Sequence, residues 1–209
     1  MKRTLDRYEG PTRESINLIL QYKEKIERNL DECKKVWPRD NTHTGLYLHD
    51  FHPHNTLFHG NDKYKGCVLI YDFTHTDLWD HRWVVAFSLH RFVREHILRP
   101  SNEFGAEGAV EKSATDIANI CRNCAKFFIS EYESGYYSGC GRVSGLDNEF
   151  FSNLSTFIKC SNIGKLISVT EKLSEVAPDS YGRSEERILG EFRKFVKFMD
   201  EADSFAVEG

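Results

Sequence analysis

Apolar residues recur at helical spacing early in the chain, where Ile16, Ile19, Leu20, Ile26, Leu30 and Cys33 fall on one stripe among Lys, Glu and Arg. The pattern predicts a helix over residues 12–36 with one buried face, opened by Pro11-Thr12 and closed before Pro38. A polar, turn-like stretch at 39–44 follows, and short strands are expected at 45–48, 56–58 and 67–73. Between the last two, His59-Gly60-Asn61-Asp62-Lys63 supplies the turn residues of a hairpin loop. From Leu78 onward the pattern is helical, with helices expected at 80–98, 106–134, 148–160, 164–176 and 184–202. In the last of these Ile188, Leu189, Phe192, Phe195, Val196 and Met199 form an apolar stripe, Ser184 is placed to cap it, and a core-facing role is favoured over a membrane-surface one. The glycine-rich run Gly135-Tyr136-Tyr137-Ser138-Gly139-Cys140-Gly141 lacks the Lys-Ser/Thr ending of a phosphate-binding loop, so it reads as a linking loop. The expected fold is α+β and mainly helical, with a small hairpin region followed by helices in one unit over 1–209.

Composition narrows the partners. The chain has 209 residues, enough for one substantial core, and a formal net charge of −4. A charge of that sign gives no global attraction to nucleic acid or to an anionic membrane, so neither is expected as a partner. No apolar run reaches the ~18 residues of a membrane span, and Met1-Lys2-Arg3 leads into Thr4-Leu5-Asp6-Arg7 rather than an apolar signal region. A cytoplasmic location is the expectation. The six cysteines (33, 67, 121, 124, 140 and 160) are accordingly expected to be reduced. Cys121-Arg122-Asn123-Cys124 could nominate zinc, but Ile117, Ile120, Cys121, Cys124 and Phe128 share helical spacing, which makes small apolar cysteines on a helix face the better reading.

Two segments carry candidate chemistry: His49-Asp50-Phe51-His52-Pro53-His54-Asn55, and Val68-Leu69-Ile70-Tyr71-Asp72-Phe73. Phosphoryl transfer needs a carboxylate to orient the acceptor hydroxyl and hard oxygen ligands for a metal bridging the phosphates. Asp50, Asn55 and Asp72 occur in the order that this requires. The segments resemble the catalytic half of the aminoglycoside phosphotransferase and choline kinase-like families, whose signature reads His-Gly-Asp-x-His-Pro-x-Asn and then an apolar strand ending in Ile-Asp-Phe. The resemblance implies a protein-kinase-like carboxy-terminal lobe, ATP as co-substrate and Mg²⁺ as cofactor. It assigns Asp50 the catalytic role, Asn55 and Asp72 the metal and nucleotide phosphates, and His52 the support of the loop, as expectations carried over from the family. It further implies a small hydroxyl compound as acceptor, whether a metabolite, sugar or aminoglycoside.

The likeness runs by motif over 12–94, the catalytic-loop and metal-strand region, and over 95–209, the substrate side, by helical character alone. Leu48 and His49 stand where the family has His and Gly. Val84 stands where an Asp usually anchors the catalytic loop, and His49 and Asp80 are the candidate substitutes. Residues 1–49 contain no Gly-rich hairpin or strand Lys, so the amino-terminal nucleotide lobe is expected to be missing or separately encoded. Acidic residues Glu131, Glu133, Asp147 and Glu149 are available to meet an acceptor, or to be plain solvated surface. Two other readings stay open. One is a degenerate, non-catalytic binding module. The other is a metal-dependent hydrolase built on the nine histidines, all of which fall between residues 43 and 96.

Overall fold

The most apolar helix sits at the centre. In the computed structural model, which describes residues 13–39, 42–48, 50–58, 68–73, 76–95, 113–141, 146–174 and 185–206, the chain forms seven described helices and four short strands. In chain order these are α1 (Arg13–Gln21), α2 (Lys23–Val36), β1 (Thr44–Leu48), β2 (Thr56–Phe58), β3 (Val68–Ile70), β4 (Thr76–Asp80), α3 (His81–Val93), α4 (Ala114–Cys140), α5 (Asn148–Ser152), α6 (Leu154–Ser174) and α7 (Glu185–Glu201). Leu154, Phe157, Ile158, Cys160, Ile163, Leu166, Val169 and Leu173 of α6 are all buried. Apolar residues around the whole circumference make a helix that must be enclosed, and α6 packs against α2, α3, α5 and α7. Phe150, Phe192, Phe198 and Phe205 are also fully buried; removing each such ring from water contributes about 1.5–3 kcal/mol. The fold is α+β and mainly helical.

The strands make two antiparallel pairs, β1 with β4 and β2 with β3. In the second pair Thr56 faces Ile70 and Leu57 faces Leu69, the pairing expected of a hairpin; residues 59–67, which include the expected turn, lie outside the described residues. The first pair sets Thr44 opposite Asp80 and Leu48 opposite Thr76. Strand β4 was not expected: Leu78 and Trp79 are apolar but exposed, and their pairing with β1 rather than local periodicity makes the strand.

Several expected boundaries move. The helix over 12–36 is two, broken at Tyr22, and Ile16 and Leu20 on the forward piece are exposed while Cys33 is buried and Ile26 and Leu30 pack against the core. The linking loop at 135–141 is instead the last part of α4. Gly135 and Gly139 are accommodated in the helix, Tyr132 and Tyr136 stack beside His81, and the helix ends only at Gly141, whose φ of 68° is the left-handed cap that glycine adopts without strain. The expected 148–160 and 164–176 helices are divided elsewhere. The break falls at Asn153, and α6 runs through Gly164. Asp80, Ser113 and Asp147 cap α3, α4 and α5 through side-chain acceptors; Ser184 lies outside the described residues.

The cysteines also depart from expectation. Cys33 of α2 and Cys160 of α6, with Cα atoms 5.5 Å apart, are joined as a disulfide, because the packing of the two helices brings them into bridging range. Such a bond is uncommon in the reducing cytosol expected for the chain. Cys121 and Cys124 are free thiols, and burial pushes the Cys121 thiol up to about 11. No described helix is long and apolar enough to cross a membrane.

Two measurements check this core. Non-reducing peptide mapping should recover the Cys33–Cys160 pair, and Cys33→Ser should cost about 2–5 kcal/mol in chemical denaturation; a variant as stable as the parent would contradict the bridge. Burial holds His81 and His90 below the ordinary histidine value of 6.5. Below that pH the unfolded chain takes up protons that the folded chain refuses, so stability is full above about pH 6.5 and falls with acidification. The urea midpoint should decline from pH 7.5 to 5.5, and less steeply in His90→Gln; a flat profile in the parent would contradict the buried neutral rings.

Candidate active site

The residues from Asp50 to Thr56 are locked by their own hydrogen bonds. Pro53 opens a 3₁₀ turn through Asn55, where its fixed φ suits the first position and its missing N–H costs nothing. His52 Nδ1 accepts from the His54 N–H at 3.1 Å, and Asn55 N–H donates to the His52 carbonyl at 2.9 Å. Thr56 Oγ1 donates to the Pro53 carbonyl at 2.9 Å. Asn55 itself is buried, and its Nδ2 donates to the Asp50 backbone carbonyl at 2.9 Å. That bond spans the loop and fixes which way the amide faces: with Nδ2 committed to Asp50, Oδ1 is the side left for a ligand.

The second segment is tied to the first. The Tyr71 N–H donates to the Asn55 carbonyl at 3.1 Å, and the Tyr71 hydroxyl donates to the His54 carbonyl. With Ile70 paired to Thr56, Asp72 follows at the open end of the hairpin, two residues beyond the last paired position. Asp72 has φ 64°, the only positive φ at a non-glycine among the described residues. A non-glycine residue in that region is uncommon, and such strain concentrates at functional sites. The structure therefore brings Asp50, His52, Asn55 and the start of the Asp72 segment into one hydrogen-bonded unit.

Asp50 has two further partners. Its carboxylate lies 3.5 Å from His52 Nε2 and 3.2 Å from Lys165 Nζ on α6. The His52 hydrogen bond, and then the Lys165 charge and hydrogen bond, hold the carboxyl well below its ordinary 3.8, with partial burial opposing them. So depressed a carboxylate is a weak base. It suits positioning of a hydroxyl better than removal of a proton from one. His52, expected as loop support, both caps the 3₁₀ turn and touches Asp50.

The expected substitutes for the missing anchor do not serve that way. Asp80 is buried, caps α3 at Arg82 N–H (2.9 Å) and pairs with the Arg82 guanidinium (2.6 Å), so it is committed to its own helix. His49 lies outside the described residues. The brace comes instead from Asn55 and Tyr71. Of the five described histidines, His81 bonds the His43 carbonyl at 2.9 Å and His90 lies buried 3.3 Å from Glu201. Among the described residues no three His, Cys, Asp or Glu converge as a metal group.

A cleft of about 550 Å³ opens beside Asp50 between α3, α6 and α7. Phe87, Phe195 and Phe198 form its apolar wall, and Arg91, Arg94, Lys165, Lys172 and Lys194 give it positive charge. Neither Asn55 nor Asp72 lines it, and neither do Glu131, Glu133, Asp147 or Glu149. Glu133 accepts from the Leu146 N–H, while Asp147 and Glu149 border a different pocket with Lys35, Arg39 and Arg82. The acidic residues that the sequence offered either to an acceptor or to plain solvated surface thus lie away from the cleft beside Asp50. Lys165 and the other cations carried no signal in the sequence, since each is an ordinary charged position on a helix.

Removing the α6 partner should release Asp50. In Lys165→Met, carbon-detected titration should show the Asp50 carboxyl titrating at higher pH than in the parent; an unchanged titration would show that the Lys165 contact contributes nothing.

No family model, no curated protein and no solved structure matches the chain.

Proposed function

We propose that the chain is the metal- and acceptor-binding side of a phosphotransferase that moves the γ-phosphoryl group of ATP to a hydroxyl of a small molecule, in a protein-kinase-like carboxy-terminal lobe. The observation that carries this reading is the hydrogen-bonded unit joining the two segments, in which the Asn55 amide is oriented by the Asp50 carbonyl and the Tyr71 N–H closes on Asn55. It ties Asn55 to Asp50 and holds the residue before Asp72 against Asn55, which supports the reading. The donor set fits Mg²⁺, which takes one or two protein oxygens and completes its shell with water and phosphate. Asn55 Oδ1 and the Asp72 carboxylate would be those oxygens.

Magnesium, when bound, would draw the phosphate oxygens together and neutralise charge developing on them. The chain's own residues supply position. Asp50, on the cleft side, would accept a hydrogen bond from the acceptor hydroxyl and aim its oxygen at the γ-phosphorus. A bond forms between that oxygen and phosphorus as the bond to the ADP oxygen breaks, and the proton leaves late, to solvent, once bonding to phosphorus has made the oxygen strongly acidic, with Asp50 holding it in place until then. His52 and Lys165 keep the carboxylate ionised. Leu57, Leu69 and Phe73 around the hairpin are exposed apolar residues, a surface suited to a nucleotide base or a separately supplied nucleotide lobe.

A second reading has one observation in its favour. The Lys165–Asp50 pair at 3.2 Å and the His52 contact already occupy both carboxylate oxygens, as they would in a kinase-like module that binds without transferring. Calorimetry with Mg²⁺ and ATP, run alongside a γ-phosphate transfer assay, separates the two. Asp72→Asn should weaken Mg²⁺–ATP binding at least tenfold, whereas Asp50→Asn should leave binding within about twofold and lower transfer by about a hundredfold or more. Binding with no transfer in the parent supports the non-catalytic module, and unaltered binding in Asp72→Asn contradicts the metal assignment.

A further inference from the structure

We infer that the cleft beside Asp50 accepts an anionic compound, a small hydroxyl-bearing molecule whose phosphate, sulfate or carboxylate group is gripped by Arg91, Lys172 and Lys194. The hydroxyl-to-Asp50 half of this statement rests on the phosphotransferase reading; the anion-binding half stands on the cleft alone.

The charges facing the cleft are not balanced. Its five lysine and arginine residues meet three carboxylates, Asp50, Glu95 and Glu191, and most of those are already committed. Asp50 is taken by Lys165 (3.2 Å), Arg94 is shared by Glu95 (3.5 Å) and Glu201 (3.0 Å), and Glu191 pairs with Arg187 at 4.0 Å. Arg91, Lys172 and Lys194 remain with no ion-pair or hydrogen-bond partner among the described residues.

Arg91 is the most telling of the three. Its guanidinium lies 4.0 Å from the centroid of Phe198 and 4.9 Å from that of Phe87, so its flat face is spent on aromatic rings. The donors around its edge are what remains, and that planar fork matches an oxyanion in a two-point grip. Lys194 lies over Phe195 at 5.2 Å on α7 and Lys172 comes from α6, so three helices converge their cations on one volume. A space of this size suits a small molecule.

Like charges crowd each other there. Burial and then Arg94 bring Arg91 down to about 10 against the opposing pull of Asp50, Glu201 and Glu95, and lost hydration and then Arg91 push Lys194 down against Glu191 and Asp50. An anion would relieve that repulsion, whereas a cationic acceptor would add to it. Asp50, His52, Pro53 and His54 of the loop line the cleft but Asn55 and Asp72 do not, so the anion's place is distinct from the two proposed metal ligands.

Inorganic pyrophosphate and spermidine, titrated calorimetrically into the 209-residue chain without magnesium, test this. Saturable pyrophosphate binding is expected, weakened at least tenfold in the Lys172→Ala/Lys194→Ala double variant and within twofold of the parent in Asp72→Asn. Spermidine should show no saturable binding. The double variant removes two surface side chains and keeps the Arg91 packing, so it reports on the cleft even where Arg91→Ala fails to fold. No saturable pyrophosphate binding, equal affinity in the double variant, an equal loss in Asp72→Asn, or preferential binding of spermidine would each overturn the inference. Pyrophosphate binding that persists where Mg²⁺–ATP binding is absent removes the phosphotransferase reading and leaves the anionic cleft. The reverse pattern removes the cleft assignment alone.

Discussion

Enclosure of α6 is the constraint on which the other features depend. A 21-residue helix with buried apolar residues on every side has to be surrounded, and surrounding it brings α2, α3, α5 and α7 to fixed places. Several polar side chains of α6 are then directed to particular partners on its neighbours. Ser161 donates to the Trp83 carbonyl on α3 at 3.0 Å, and Lys159 reaches Glu32 on α2 and Asp203 at 3.0 and 2.8 Å. Lys165 reaches Asp50. The contact between the apolar core and the polar loop is therefore a consequence of the same burial that forms the core.

That arrangement shapes the chemistry proposed for the loop. A carboxylate held low by a lysine and a histidine remains charged across the physiological range, which favours holding a hydroxyl over abstracting its proton. Phosphoryl transfer tolerates this, because it is dominated by positioning and charge stabilisation. The left-handed backbone at Asp72, the buried amide of Asn55 and the Tyr71 bonds give this part of the chain the rigidity that the proposed ligand binding would need. Beside Asp50 lies a volume lined by aromatic rings and five cations, of which Arg91, Lys172 and Lys194 have no ion-pair partner among the described residues. On the proposed reading, Asp50 stands between the residues that would hold the metal and the cleft that would hold the acceptor.

Local features were legible in the sequence, and long-range ones were not. The stripe Ile188, Phe192, Phe195, Val196 and Met199 forms a core-facing helix because 3.6-residue periodicity is written in neighbouring residues. Pro53 and Asn55 announced the turn, and the apolar run before Asp72 announced β3, since both are short-range effects. Strand β4 escaped notice because its partner, β1, lies some thirty residues earlier, and only pairing makes Thr76–Asp80 extended. The helix through Gly135 and Gly139 was hidden because packing of Tyr132 and Tyr136 near His81 outweighs glycine's low propensity. Cys33–Cys160 and Lys165–Asp50 join residues 127 and 115 positions apart. No local pattern encodes such pairs, and the charge of the cleft beside Asp50, assembled from three helices, is hidden for the same reason.

The central claim is that Asn55 and Asp72 hold a divalent cation together with nucleotide phosphates. Paramagnetic broadening tests it most directly, with Mn²⁺ added to the isotopically labelled chain in the presence of ATP. The account predicts selective loss of the Asn55 side-chain amide and Asp72 backbone signals at low Mn²⁺, abolished in Asp72→Asn. Broadening centred on His43 and His81, or no selective broadening at all, would contradict it.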